Sequence, residues 1–189
     1  MKVASAIALG LLLTSLAAGQ AAAGWTTIFN GTSLNGWNAI GNANWKLGGG
    51  MVQADMGSGF LVSAASYGDF ELKAELWVDD DANSGVFIRC SDAKEVTAAN
   101  AYEVNIFDKR PDQAYRTGAI VDVAKPTSQI NAAGKWNTLE ITAQGQHLTV
   151  TLNGAKTADV QDKAHAQGFI ALQYGAGVVK FRNVQIRRL

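Results

Sequence analysis

The sequence predicts an all-β protein, an antiparallel β-sandwich or jelly roll. Two observations carry the expectation. Phe70–Val78 alternates without a break: Phe70, Leu72, Ala74, Leu76 and Val78 fall on one face, Glu71, Lys73, Glu75 and Trp77 on the other. A strand separates such residues cleanly, whereas a helix scatters them around its surface. Twenty glycines stand against two prolines, Pro111 and Pro126, which suits many tight turns. No long stretch carries helical periodicity.

The elements follow in order. Residues 86–90 (VFIRC) read as a strand, with Cys90 as a buried structural thiol. Residues 102–108 (YEVNIFD) read as another, with Tyr102, Val104 and Ile106 on one face and Glu103, Asn105 and Phe107 on the other. Residues 136–143 (WNTLEITA) and His147–Leu152 (HLTVTL) alternate in the same way, joined by a short hairpin at Gln144-Gly145-Gln146. Asn153-Gly154 is a tight-turn signal leading into residues 155–160. Residues 169–173 and 178–186 supply the closing strands, and residues 162–167 (DKAHAQ) have room for one helical turn. The polar stretches 108–117 and 122–135 are the longest connections, where sites on a rigid sandwich usually sit. The expected core holds Phe70, Leu72, Ala74, Leu76, Val104, Ile106, Ile141, Leu148, Val150, Ile170 and Leu172.

Residues 1–23 read as a secretory signal peptide: a positive start at Lys2, an apolar run, and Ala21-Ala22-Ala23 before a cleavage point. No cysteine follows the run. The expectation is one exported domain over residues 24–189, periplasmic or secreted, with no membrane span after processing. Sixteen Lys+Arg balance sixteen Asp+Glu, so no basic face argues for nucleic acid. One cysteine excludes an intrachain disulfide, and two histidines leave little for a multi-histidine metal centre. No cofactor is expected. The run Asp79-Asp80-Asp81 offers the oxygen donors that Ca²⁺ prefers, although a solvated turn is the commoner use of such a run. His147 reads as a surface histidine without an acidic neighbour, and His165 lies in a polar turn. Sequence alone leaves the oligomeric state open.

Strand parity nominates a polar surface. Glu103 and Asn105 stand opposite the apolar set of their strand, and Arg89 shares a face with Phe87. Together with Lys73, Glu75 and Trp77 they are expected on one concave sheet face, with polar groups for sugar hydroxyls and a flat ring for a sugar face. The competing use of such a face is a solvated sheet with cross-strand ion pairs.

The chain also resembles a known family, the 3-keto-disaccharide hydrolases, also described as 3-keto-glucoside 1,2-lyase/3-keto-2-hydroxyglucal hydratase domains. The matching segments are IFNGTSLNGW (28–37), YGDFEL (67–72), NSGVFIR (83–89), YEVNIFD (102–108), TGAI (117–120), LNG (152–154), LQ (172–173) and FRNV (181–184). They run in order through the mature chain. Asn105 stands where the family commonly has Gln, and Tyr174-Gly175 where it often has His-Gly.

The resemblance implies a concanavalin-like jelly roll acting on glycosides or oligosaccharides oxidised at C3 of the sugar. The keto group acidifies the C2 hydrogen, a base removes it, the C1 substituent is expelled, and water adds. Such chemistry needs a base and a group to stabilise the enolate oxygen. Glu103 is the expected base, with Asp108 next, and Arg89 the expected enolate partner. Asn105, Lys73, Glu75 and Trp77 are the expected sugar contacts, joined by Gln173 through the resemblance. A non-catalytic carbohydrate-binding module on the same sandwich is the alternative.

Overall fold

The computed structural model describes residues 24–189, so the expected leader at 1–23 lies outside the described residues. Thirteen strands follow in chain order: β1 (Thr26–Phe29), β2 (Trp37–Gly41), β3 (Lys46–Gly48), β4 (Met51–Ala54), β5 (Gly59–Tyr67), β6 (Phe70–Val78), β7 (Asn83–Cys90), β8 (Tyr102–Ile106), β9 (Trp136–Gln144), β10 (His147–Leu152), β11 (Ala155–Gln161), β12 (Gly168–Ala176) and β13 (Val179–Arg188). All pairings between them are antiparallel. The larger sheet runs β11-β10-β9-β6-β13-β4-β3, with β1 also on β13; the smaller runs β2-β5-β12-β7-β8. Among the described residues no helix is long and apolar enough to cross a membrane.

The core lies between the two sheets, because alternation gives each strand one apolar face to bury. All eleven expected core residues are buried. From the larger sheet come Leu72, Leu76, Ile141, Leu148 and Phe181; from the smaller, Val86, Ile88, Val104, Ile170 and Leu172. The β10–β11 turn is Asn153-Gly154 with φ of 53° and 81°, both in the left-handed region that a two-residue hairpin of this twist requires.

The expected helical turn at 162–167 does not form. Asp162 Oδ1 instead accepts from the Ala164 N–H at 2.8 Å and from the Tyr102 hydroxyl at 2.6 Å, closing a side-chain turn against the core. Among the described residues the single helical turn falls at Gln113–Tyr115, capped by Asp112, whose Oδ1 accepts the Ala114 N–H. His147 is half exposed and does have an acidic neighbour: its Nε2 lies 2.7 Å from Asp159 Oδ1, one strand away. Lys109 bridges Asp80 and Asp81 at 3.1 Å each, so the acidic run is neutralised from a neighbouring loop.

Candidate active site

The outer face of the smaller sheet is built from two cross-strand rows. One row is Ile40, Phe60, Gln173, Gly85 and Asn105; the next is Asn38, Val62, Ala171, Phe87 and Glu103. Half of this face is covered. The segment 91–101 folds back over it, packing Val96 and Ala101 on Val62, Phe87, Cys90 and Ala171. Asn100 holds that segment by accepting the Thr97 N–H and donating to Glu95 O. Beneath it Cys90 is fully buried, and burial pushes its thiol above the usual range.

Gly85 opens the floor of the first row. A Cβ there would stand 3.3 Å from Gln173 Oε1 and 3.5 Å from Glu103 Cγ, so both side chains lean over the space that the glycine leaves. Glu103 is largely withdrawn from water. Burial pushes its carboxyl above the usual carboxylate range; Arg110 opposes that shift and Asp122 adds to it. Gln173 Oε1 and Asn105 Oδ1 are buried and have no hydrogen-bond partner among the described residues. Such acceptors are costly to bury and suit an incoming hydroxyl donor.

The backbone under Glu103 and Asn105 is held on both sides. One side pairs with β7. On the other, Val121 N–H donates to Glu103 O, Asn105 N–H donates to Ala119 O, and Gly118 N–H donates to Asn105 O, at 2.9–3.0 Å. The Asn105 side-chain amide donates to Tyr115 O, which ties the loop carrying Arg110 to the sheet. Parity pointed to Glu103 and Asn105, and Gln173 joins them. Sequence reasoning passed over Arg110 and Gly85: Arg110 sat within a stretch marked only as a long polar connection, and Gly85 shows only as a residue without a side chain.

The remaining expected site residues stand elsewhere. Arg89 adopts φ 53° at a bulge where β7 slips against β12, so the alternation breaks at this residue. Its side chain is fully buried and spans the end of the sandwich. Nε donates to Gly68 O at 3.0 Å, Nη1 to Gly145 O at 2.7 Å and His165 O at 3.1 Å, and Nη2 to Asp69 Oδ1 at 2.9 Å. Burial pulls this guanidinium below the usual arginine range, and Asp69 opposes the pull. Every donor nitrogen is committed to the scaffold, so Arg89 does not reach a ligand beside Glu103.

Asp108 is likewise spent. Its carboxylate accepts from Thr117 Oγ1 at 2.5 Å and from the Ala132 and Ala133 N–H groups at 2.9–3.1 Å. It pins the 108–117 connection to residues 132–133. Lys73, Glu75 and Trp77 lie on β6, on the outer face of the other sheet, and therefore on the opposite side of the sandwich from Glu103. There they join an ion-pair ladder: Lys73 with Glu140 at 2.8 Å, Glu75 with Arg182 at 2.6 Å, and Lys180 4.2 Å above the Trp77 ring. A cavity of about 360 Å³ on that face is walled by Trp25 and by the paired charges Glu71, Arg187, Lys73 and Glu140. This is the solvated ion-pair surface that stood as the competing use. Alternation fixes inward against outward, but not which sheet a strand joins.

With these groups in place, comparison with known proteins becomes informative. Residues 24–187 match the family described as the 3-keto-alpha-glucoside-1,2-lyase-like domain. The chain belongs to this family. No curated protein sequence matches it. Two provisionally assigned glycosyl hydrolases from Parabacteroides distasonis ATCC 8503 share its fold. One is 26% identical, with 87% of this chain and 99% of that chain covered at a TM-score of 0.73. The other is 20% identical, with 88% and 94% covered at 0.76. Carbohydrate-binding module CBM66 from Bacillus subtilis is 20% identical, with 80% and 95% covered at 0.62, a likeness of fold alone. The lyase-like domain is thus a two-sheet sandwich of the concanavalin and galectin type.

Proposed function

We propose that this lyase-like domain cleaves glycosides oxidised at C3, with Glu103 as the base that removes the C2 proton. The supporting observation is the setting of Glu103: a carboxyl pushed up by burial, with the charge of Arg110 opposing that shift, beside the unpartnered oxygen of Gln173. A raised carboxyl is a stronger base once ionised, as proton abstraction next to a ketone requires.

In this reading Glu103 takes the C2 hydrogen, and its electron pair moves onto the C3 oxygen as an enolate. Arg110 takes the role of counter-charge that sequence reasoning gave to Arg89. The enolate collapses and expels the C1 substituent, leaving an unsaturated sugar. Water then adds at C1 while C2 regains a proton, and the sum is hydrolysis. Gln173 Oε1 and Asn105 Oδ1 accept hydroxyl donors and orient the ring. Export after removal of residues 1–23 belongs to the same proposal, and the mass of the exported form tests it.

Glu103→Gln keeps the shape of the side chain but accepts no proton. Turnover of a 3-keto-disaccharide falls at least ~10²-fold while binding is nearly kept. Near-normal turnover in this variant overturns the assignment. The likeness to CBM66 favours a second reading, a sugar-binding module without catalysis. Binding of the 3-keto substrate by the native chain without product release supports that reading instead.

A further inference from the structure

The ion-pair ladder on the outer face of the larger sheet caps two of its tryptophans closely. Arg182 Cζ lies 3.8 Å from the ring centroid of Trp136, and Lys180 Nζ lies 4.2 Å from that of Trp77. Trp25 is covered more loosely. Lys73 and Arg187 come only within 5.2 and 5.4 Å of its centroid, and the residue walls the cavity of about 360 Å³ that crosses β6, β9 and β10.

The rest of the lining is polar. Thr142 on β9 and Thr149 and Thr151 on β10 line the cavity, with Thr149 directly opposite Thr142 and Thr151 opposite Glu140. All three are half-buried, and their hydroxyls make no hydrogen bond among the described residues. Leu72 and Ile141 also border the space, but both are buried in the core and give it backbone only. The charges cancel in pairs: Glu71 with Arg187, and Lys73 with Glu140 at 2.8 Å.

We propose that this cavity is a second saccharide site, separate from Glu103, which takes one neutral, unoxidised pyranose unit. Other ligand classes fit the lining poorly. An anion meets the carboxylates of Glu71 and Glu140, and a cation meets Lys73 and Arg187, so either has to displace a charge already paired. A flat apolar ring gains the indole but strips water from three hydroxyls and four charged groups. A pyranose answers both parts of the wall. Its C–H face lies on the indole of Trp25. Its hydroxyls donate to Glu71 and Glu140, whose carboxylates keep acceptor sites beyond the ion pair, and accept from Lys73 and Arg187. The threonine hydroxyls both donate and accept, as sugar hydroxyls do. The volume falls at the lower end of the range for small-ligand sites. The inference goes beyond the reading of Glu103 and does not need it. The two sheets pack ~10 Å apart, so a ligand on this outer face is separated from Glu103 by the whole sandwich.

The test titrates the full chain with the methyl α- and β-pyranosides of glucose, galactose and mannose, and with inorganic phosphate, followed by backbone amide and indole N–H shifts in NMR. At least one pyranoside binds at least about tenfold more tightly than phosphate, and the shifted amides cluster at Thr142, Thr149 and Thr151. Trp25→Ala weakens that binding about tenfold. Thr149→Val, which keeps the shape and the strand preference but removes one hydroxyl, weakens it at least about threefold. Turnover of a 3-keto-disaccharide stays native in both variants, and Gln173→Ala, on the other face, leaves the pyranoside affinity unchanged. Phosphate binding as tightly as every pyranoside, affinity indifferent to both Trp25→Ala and Thr149→Val, or shifts that cluster at Glu103 and vanish in Gln173→Ala overturns the proposal.

Discussion

Arg89 Nη2 donates to Asp69 Oδ1 at 2.9 Å, and the same oxygen accepts the Gly145 N–H at 2.9 Å. The pair closes one end of the sandwich by joining the β5–β6 turn, the β9–β10 turn and β7. Arg89→Met leaves Gly68, Gly145 and His165 carbonyls short of a donor and frees Asp69. Urea unfolding is expected to show a loss of at least ~3 kcal/mol. Specific turnover per folded molecule stays close to native. A large loss of turnover in a stably folded variant would return Arg89 to the chemistry.

Asp108 makes a parallel case. Asp108→Asn keeps one acceptor but gives up charge-assisted bonds to Thr117, Ala132 and Ala133. The expected result is a lower unfolding temperature, with the pH dependence of kcat/KM unchanged in shape. Disappearance of the acidic limb would make Asp108 the base.

Arg110 and Asp122 act on Glu103 in opposite senses. The base works in its ionised form, so the acidic limb of kcat/KM follows the Glu103 carboxyl. Arg110→Met removes the group that lowers it, and the limb moves to higher pH. Asp122→Asn removes a group that raises it, and the limb moves to lower pH. A pH–rate profile of each variant checks both signs; a limb fixed in both contradicts the assignment.

Glu103 also carries a stability cost. In the folded protein its carboxyl sits above the unfolded value, because burial disfavours the charged form. The folded state therefore holds the proton more tightly, and its stability falls as pH rises from the unfolded value, about 4.3, through the folded one. Glutamine has no such cost. Thermal unfolding of Glu103→Gln against the native chain should show a gain that grows from pH 4 to pH 7. A difference independent of pH would mean that the carboxyl is better solvated than its surroundings suggest.

Leu76 is fully buried between the sheets. Leu76→Ala is expected to cost ~2–5 kcal/mol in denaturant unfolding, the range for an aliphatic truncation in a packed core. A loss below about half a kcal/mol would contradict that packing.

Particular residues show how far the sequence could be read. Phe70–Val78 gave its strand and its buried face because each residue obeys the same two-residue period. His147–Leu152 did so with its bounds intact. Arg89 was misread because one non-glycine residue in the left-handed region shifts the period, and nothing in its side chain announces that conformation. The strain is held by four hydrogen bonds made far along the chain, at Gly68, Asp69, Gly145 and His165. Lys73, Glu75 and Trp77 were correctly placed facing outward and wrongly placed beside Glu103, since sheet membership depends on pairings between distant segments. Glu103 and Gln173 converge on a space made by Gly85, and a space leaves no mark on a pattern of side chains.

The three backbone bonds from residues 118–121 to Glu103 and Asn105 bear on how molecules of this protein meet one another. A terminal strand with open amides is an invitation to a strand from a neighbouring chain. β8 ends the smaller sheet, yet its outward Asn105 N–H and the outward carbonyls of Glu103 and Asn105 are taken by its own loop. The residues proposed to meet the substrate thus sit on an edge closed to intermolecular pairing and to the aggregation that begins there. In amide hydrogen exchange the outward-facing Asn105 N–H should therefore exchange like that of an interior strand rather than a border one.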